Sequence, residues 1–327
     1  MSIQLANIEL SPPVFLAPMA GITDLPFRNL VQSFGAGLVI SEMVASQEMV
    51  QAKPGTRERA ELGFGLENTA VQLAGRDSLW MAKAARMVEA SGARIIDINM
   101  GCPAKKVTNG YSGSALMKDL DHALSLIEAV VAAVKIPVTL KTRLGWDDNL
   151  LNAAELAHRA EGAGVQMITI HGRTRCQFYK GSADWEAIAS VKQAVKVPVI
   201  ANGDIVDLAS ARSALELSGA DGVMVGRGIQ GRPWMLAEIA AGLAGQKYND
   251  APRGPRLADM VADHYQAALD FYGPDLGGRV IRKHLGWYMD LAATPGPLRK
   301  EVLTSKSPAT VLRLIPKALA EYGSIAA

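Results

Sequence analysis

Short apolar runs recur along the chain, and each gives way to polar or glycine residues: VFLAPMAG (14–21), LVISEMV (38–44), TAVQLAG (69–75), IIDINMGCP (95–103), PVTLKTRLG (137–145), QMITIHGRT (166–174), PVIANGDI (198–205) and GVMVGRG (222–228). Runs of this length bounded by turn residues read as buried strands. Between most of them lie segments with helical periodicity, such as SLWMAKAARMVEASGA and LDHALSLIEAVVAAVK. Eight strand–helix units over roughly 230 residues match the α/β class and the size of a (β/α)8 TIM barrel. A doubly wound parallel sheet uses the same alternation. The count of eight, and the lack of a GxGxxG after the first strand, favour the barrel.

The pattern stops at GLAGQKYNDAPRGPR (242–256), which is rich in glycine, proline and charge. It reads as a linker. Beyond it LADMVADHYQAALDFYG, RVIRKHLGWYMDLAA and SPATVLRLIPKALAEYG have the spacing of amphipathic helices. The expected organisation is a catalytic barrel over 1–243, a linker over 244–256, and an all-α helical-bundle domain over 257–327.

Along each strand, side chains alternate between faces. Val71 and Leu73 oppose Gln72; Ile96, Ile98 and Met100 oppose Asp97 and Asn99; Val138 and Leu140 oppose Thr139, Lys141 and Arg143; Ile168 and Ile170 oppose Thr169, His171 and Arg173. The apolar faces are expected against the helices and the polar faces inside the barrel, near the C-terminal mouth where barrel enzymes keep their active sites. A charge such as Lys141 there needs an anionic partner. Asp97 or Glu42 would make a structural ion pair; a negatively charged ligand is the alternative. His171 alone fits a core histidine as well as a ligand contact. Polar residues converging from four strands point to a ligand site.

The last two strands end in NGD (202–204) and GRGIQGRPW (226–234). Gly226 and Gly228 allow close backbone approach, and a helix from about Gly231 would offer its N-terminus to a phosphate. A flavin mononucleotide suits such a barrel. Its phosphate would sit at Gly226 and Arg227, Lys141 would balance the negative edge of the reduced ring, Gln72 would bond the ring edge, and APMAG (17–21) would lie against it.

Composition narrows the classes. The chain is 49% hydrophobic and 20% charged, which is globular. Its net charge is only +2, so a nucleic-acid partner needs a local patch. Cys102 and Cys176 make no disulfide framework and lack metal-ligand spacing, so no metal is expected and a reduced, cytoplasmic protein fits. MSIQLANIELSPP is not a signal peptide, and ALSLIEAVVAAV is short and holds Glu128, so no membrane association is expected. Nothing indicates an obligate protein partner.

Cys102 stands in a Gly-Cys-Pro turn at the mouth. It reads as a small buried hydrophobe, as a nucleophile, or as a general acid that keeps its proton until needed. Hydride transfer to an activated C=C bond needs such a donor for the neighbouring carbon.

APMAGITDLPFR, VQLAG, DINMGCPAKKV, KTRLGW, HGRTR, ANGDI and GRG…GRPW together resemble the flavin-dependent tRNA-dihydrouridine synthase family. GCPAKKV and FYGPDLGGRVIRKHLGWYM resemble its bacterial B subgroup. The resemblance covers nearly the whole chain. It implies that FMN contacts Pro18, Met19, Ala20, Gln72, Lys141, His171, Asn202, Gly203, Asp204, Gly226 and Arg227. It implies that NADPH reduces the flavin, that a D-loop uridine in tRNA takes hydride at C6, and that Cys102, on a mobile loop, protonates C5. Asn99 would lie between flavin and base. A uracil in folded tRNA must be extruded to reach a barrel mouth. Lys105, Lys106, Arg143, Arg173 and Arg175 fall on mouth loops, and a helix over 278–289 carries Arg279, Arg282, Lys283 and His284; these are the expected tRNA contacts. Two other readings stay open. One is an FMN barrel reducing a free pyrimidine of the dihydroorotate or uracil type. The other is an RNA-binding protein that keeps the fold without turnover.

Overall fold

A computed structural model describes residues 2–52 and 68–320. Residues 321–327 of the expected helical domain lie outside the described residues.

The chain opens with an antiparallel hairpin of β1 (Ile3–Leu5) and β2 (Ile8–Leu10). Then follow β3 (Val14–Leu16), β4 (Leu38–Ile40), the two-residue β5 (Val44–Ala45), β6 (Thr69–Ala74), β7 (Ile95–Met100), β8 (Val138–Arg143), β9 (Met167–His171), β10 (Val199–Asn202) and β11 (Gly222–Val225). All neighbours pair in parallel, β3 pairs with both β11 and β4, and β4 pairs with β6, so eight strands close on themselves. β5 is a short extension along the end of β6. The eight apolar runs of the sequence are the eight barrel strands.

The helices between strands start where short polar side chains precede apolar periodicity. Asp24, Asp77 and Asp119 each accept a backbone N–H of the first turn of Leu25–Ser33, Ser78–Ala90 and Leu120–Val131. Asp207 and Ser210 form a reciprocal capping box for Leu208–Ser218. These helices bury one face against the outward side chains of the strands, in one continuous core that includes Val71, Leu73, Ile96, Ile98, Leu140, Ile168 and Ile170.

Inside the barrel the strands change character along their length. Ala70, Ile95, Met167, Ile200 and Met224 form an apolar floor with Phe15, Leu38 and Ile40, closed from below by Ile3, Leu5, Ile8 and Leu10 of the hairpin. Two residues further along the same faces come Gln72, Asp97, Thr169 and Asn202. The hairpin thus plugs one end with hydrocarbon, and the polar layer is left at the other.

A stretch without helix or strand follows Leu243, and helix Pro255–Tyr272 begins inside the segment read as linker. Pro274–Val280, Arg282–Leu291, Gly296–Thr304 and Pro308–Ala318 complete the C-terminal helices. The helix expected over 278–289 falls on Pro274–Val280 and Arg282–Leu291; Ile281 between them keeps helical φ and ψ, and the bonds from Ile281 N to Gly277 O and from Leu285 N to Ile281 O run through the break. These helices share a second core, built on Leu257, Val261, Leu285, Tyr288 and Leu314, which also takes in Trp234. They rest on Leu25–Ser33 of the barrel, where Phe27 stacks on His264 (centroids 5.6 Å) and lies 4.5 Å from His284. No helix among the described residues is long and apolar enough to cross a membrane.

Candidate active site

The C-terminal ends of the strands surround a cavity of about 690 Å³, within the range of roughly 300–1,000 Å³ usual for ligand pockets. All the residues expected at a flavin line it: Pro18, Met19, Ala20, Gln72, Lys141, His171, Asn202, Gly203, Asp204, Gly226 and Arg227. Asn99, Cys102 and Arg143 line it as well.

Lys141 finds neither of the carboxylate partners weighed for it. Its Nζ donates to Asn202 Oδ1 at 2.9 Å, and Asn202 Nδ2 donates to the carbonyl of Met224 at 2.8 Å. Glu42 accepts the backbone N–H of Gly21 instead. Asp97 accepts from Gln72 and Thr139 and acts on Lys141 only through its field. Burial first, then the nearby Arg143, pulls the lysine down to about 8. A cation so placed is short of negative charge.

His171 closes another wall. Burial and the surrounding Arg143, Lys141 and Arg173 hold it well below the usual histidine range, so the ring is neutral. Its Nε2 lies 3.5 Å from Arg173 Nη1. A guanidinium only donates, so Nε2 is the acceptor and Nδ1 carries the hydrogen. Gly203 makes this placement available: its φ is +111°, and a Cβ there would stand 2.6 Å from His171 Cδ2. Gly226 differs. A Cβ on it would meet nothing nearer than 3.8 Å, so the space beside it is cavity, not packed protein.

Asp204 pairs with buried Arg173, whose Nη2 is 2.5 Å from Oδ2, and accepts the N–H of Ala183. Burial raises its pKa, but these bonds outweigh it and hold the carboxyl below the usual range. Arg227 lies 3.7 Å from Asp204 and stacks over Tyr179, 4.7 Å from the ring centroid. A short 3-10 turn, Arg227–Ile229, follows Gly226, and the next helix starts at Met235. The helix expected from Gly231 therefore starts later, and the cradle beside Gly226 is the 3-10 turn.

Cys102 is half-buried at the rim. The sequence suggests a mobile loop, but this turn is fastened on both sides. Asn99 Oδ1 accepts the N–H groups of Gly101 (3.2 Å) and Cys102 (3.0 Å). Arg143 Nε donates to Gly101 O, and Ser114 Oγ to Cys102 O.

The expected tRNA contacts divide. Lys105 and Lys106 are exposed on the short helix Lys105–Thr108. Arg175 is half-buried, lies 4.7 Å from the Trp146 ring centroid and donates to Thr108 Oγ1 at 3.3 Å. Arg143 and Arg173 are buried and committed to carbonyls: Gly101, Thr174 and Phe178 for the first, Lys180 and Gly181 for the second. They brace the loops and do not stand out from the mouth. Arg279 and Lys283 are exposed, Arg282 half-exposed. Lys283 Nζ reaches Gly21 O at 3.4 Å, which sets the C-terminal helices beside the 17–24 loop. His284 is no surface cation. It is buried, and burial pulls it down to about 4.

Sequence reading missed Phe178 and Tyr179, exposed aromatics on the loop after β9 that line the cavity. The signal was two adjacent aromatics in a polar loop, CQFYKG. It also gave Asp97 no role beyond a lysine partner.

A family model described as Dihydrouridine synthase (Dus) matches residues 15–321. The chain belongs to the dihydrouridine synthase family. Membership makes it a flavin-dependent oxidoreductase. It is 63% identical to "Probable tRNA-dihydrouridine synthase" of Rhodobacter capsulatus, over 98% of this chain and 99% of that one. It is 55% identical to the protein of the same name in Rickettsia conorii, over 88% and 87%. It is 48% identical to "tRNA-dihydrouridine synthase B" of Pseudomonas syringae pv. tomato, over 86% and 83%, in line with the B-subgroup wording of GCPAKKV. Among solved structures, a morphinone reductase N189A mutant in complex with tetrahydroNAD has a TM-score of 0.53 at 16% identity, over 74% of this chain and 90% of that one. That likeness shows the barrel fold.

Proposed function

We propose that this dihydrouridine synthase reduces the 5,6 double bond of a uridine in the D-loop of tRNA, with FMN as its resident flavin and NADPH as reductant. The observation that carries this reading is the convergence of the flavin-contact residues on one cavity with Cys102 at its rim. The donor set fits the group: a cation with no carboxylate ion pair among the described residues at Lys141, amides at Gln72 and Asn202, and free space beside Gly226 next to Arg227. When bound, FMN supplies the hydride that goes to C6.

The chain's own residues do the rest. Gly226 and Arg227 hold the phosphate. Pro18, Met19 and Ala20 pack on the ring, and Gln72, Lys141 and His171 bond its polar edge. Lys141 is charged below about pH 8, so it offsets negative charge on the reduced ring. Asn99 orients the base, and the thiol of Cys102 gives its proton to C5. Hydride and proton together saturate the bond, and NADPH leaves as NADP+.

The barrel carries the flavin, and tRNA is held by Arg279, Arg282 and Lys283 of the C-terminal helices together with Lys105, Lys106 and Arg175 of the barrel loops. The purified protein is given NADPH and tRNA from cells lacking it, and the tRNA is digested. A uridine heavier by two hydrogens is the expected product. NADPH consumption with flavin bound and no such product would favour a free-pyrimidine reductase.

A further inference from the structure

Backbone N–H groups only donate. The atom of Asn99 facing Gly101 N and Cys102 N is therefore its oxygen. That turns Asn99 Nδ2 to Gln72, 2.7 Å from Oε1. Gln72 must then direct Nε2 away, and it does so onto Asp97 Oδ2 at 2.6 Å. The other oxygen of Asp97 takes the hydroxyl of Thr139 at 2.7 Å. Asp97 accepts at both oxygens, so the backbone N–H groups at one end and the carboxyl at the other point the two amides the same way. Asp97 is 1% exposed, one layer below the cavity and not in its lining; burial pushes its carboxyl above the usual range, against the bonds from Gln72 and Thr139 and the field of Lys141.

We propose that Asp97 is a positioning residue for this site: its carboxylate sets the donor–acceptor polarity of the Gln72–Asn99 pair, which holds the Gly101–Cys102 turn and leaves each amide one N–H for a ligand carbonyl. Reversed amides would set Asn99 Nδ2 against two backbone N–H groups, and the turn would come loose. The consequence for catalysis rests on Cys102 being the proton donor; the consequence for the turn does not.

Three variants of the purified flavoprotein test it. Asp97→Leu removes the acceptor. Asp97→Asn keeps the shape, and its amide can still offer Oδ1 to Gln72 and an N–H to the Thr139 hydroxyl. Asp97→Asn with Thr139→Val deprives that amide of its second acceptor and frees it to turn round. Hydrogen exchange over residues 99–103 is read by mass spectrometry, beside flavin content, NADPH oxidation and dihydrouridine formation. In Asp97→Leu and in the double variant, exchange over 99–103 is expected to rise, and kcat for dihydrouridine to fall, by about tenfold or more, with the KM for tRNA within about threefold and NADPH oxidation falling less than product formation, since Gln72 loses its fixed polarity as well. Asp97→Asn alone is expected to stay near the parent on every readout.

Unchanged exchange over 99–103 in Asp97→Leu would overturn the proposal. So would an Asp97→Asn variant as damaged as the leucine one, since charge and not polarity would then matter. Equal losses in both half-reactions would make Asp97 a core residue only. If the leucine variant does not fold, the two asparagine variants decide. Should the parent protein make no dihydrouridine, the proposed function falls, while the exchange comparison still decides what Asp97 does.

Discussion

Cys102 reaches the rim of the cavity because Asn99, Arg143 and Ser114 fasten its backbone, while its side chain takes no part in those bonds. Cys102→Ala is therefore expected to fold, bind flavin and oxidise NADPH as before, and to lose dihydrouridine formation by about a hundredfold or more, the scale of general acid catalysis. Product at the parent rate in a single-turnover assay would remove the thiol from the mechanism. Lys141 carries a different signature, because burial depresses it from 10.5 to about 8. Below pH 8 it is charged in both folded and unfolded chains, and the folded state bears the cost of that charge. Between about 8 and 10.5 the folded state sheds the proton while the unfolded state keeps it, so stability rises with pH in that window. In the flavin-free protein Lys141→Met is expected to melt higher than the parent at pH 7, with the gain gone above about pH 10.5. Thermal melts across that range check the sign. The same substitution should weaken flavin binding, since a site built for a charged ligand is destabilised when empty.

At the scale of elements, each functional side chain sits one or two pleats beyond an apolar residue on the same strand face. Met167, Thr169 and His171 climb β9 from the hydrocarbon floor to the cavity, and Ala70 and Gln72 do the same on β6. This ordering was legible in the sequence as alternation. The mouth at the C-terminal ends was expected as well; the plug at the other end was not, because the hairpin of Ile3, Leu5, Ile8 and Leu10 gives no sign of where it docks. The turn after β10 shows how little freedom these elements have. Gly203 sits at φ +111° with the His171 ring where a Cβ would go. Gly203→Ala is expected to cost about 2 kcal/mol or more, through backbone strain and displacement of His171. Denaturant unfolding measures the first and flavin content the second; a neutral result in both would mean the turn relaxes.

The core between barrel and helices and the core of the C-terminal helices meet at Phe27, His264 and His284. The join sets exposed Lys283 beside the 17–24 loop of the cavity, through its bond to Gly21, with exposed Arg279 four residues before it. A net charge of +2 gives no overall attraction for RNA, so local cations must supply it. Arg279→Glu with Lys283→Glu is expected to weaken tRNA binding about tenfold or more at low salt and to flatten its salt dependence, with NADPH oxidation unchanged. Titrations at two salt concentrations check it; equal affinities would move the RNA surface to Lys105, Lys106 and Arg175.

The barrel, the polar faces of its strands, and the cavity residues carried on those faces (Gln72, Asn99, Lys141 and His171) were legible in the chain alone, because period-two alternation and glycine-rich strand ends are local properties that survive without the fold. The sequence determined the family as well, since APMAG, DINMGCPAKKV and HGRTR carry chemistry in their order. Only the tertiary structure decided which cations face solvent. Arg143, Arg173 and His284 read as mouth or surface charges, yet each is buried by a segment outside its own strand or helix: the loop at 174–181 for the arginines, Phe27 for the histidine. It also decided the direction of the Asp97–Gln72–Asn99 chain. An amide's polarity depends on what lies across a hydrogen bond, and those partners come from three strands, β6, β7 and β8, that no local pattern brings together.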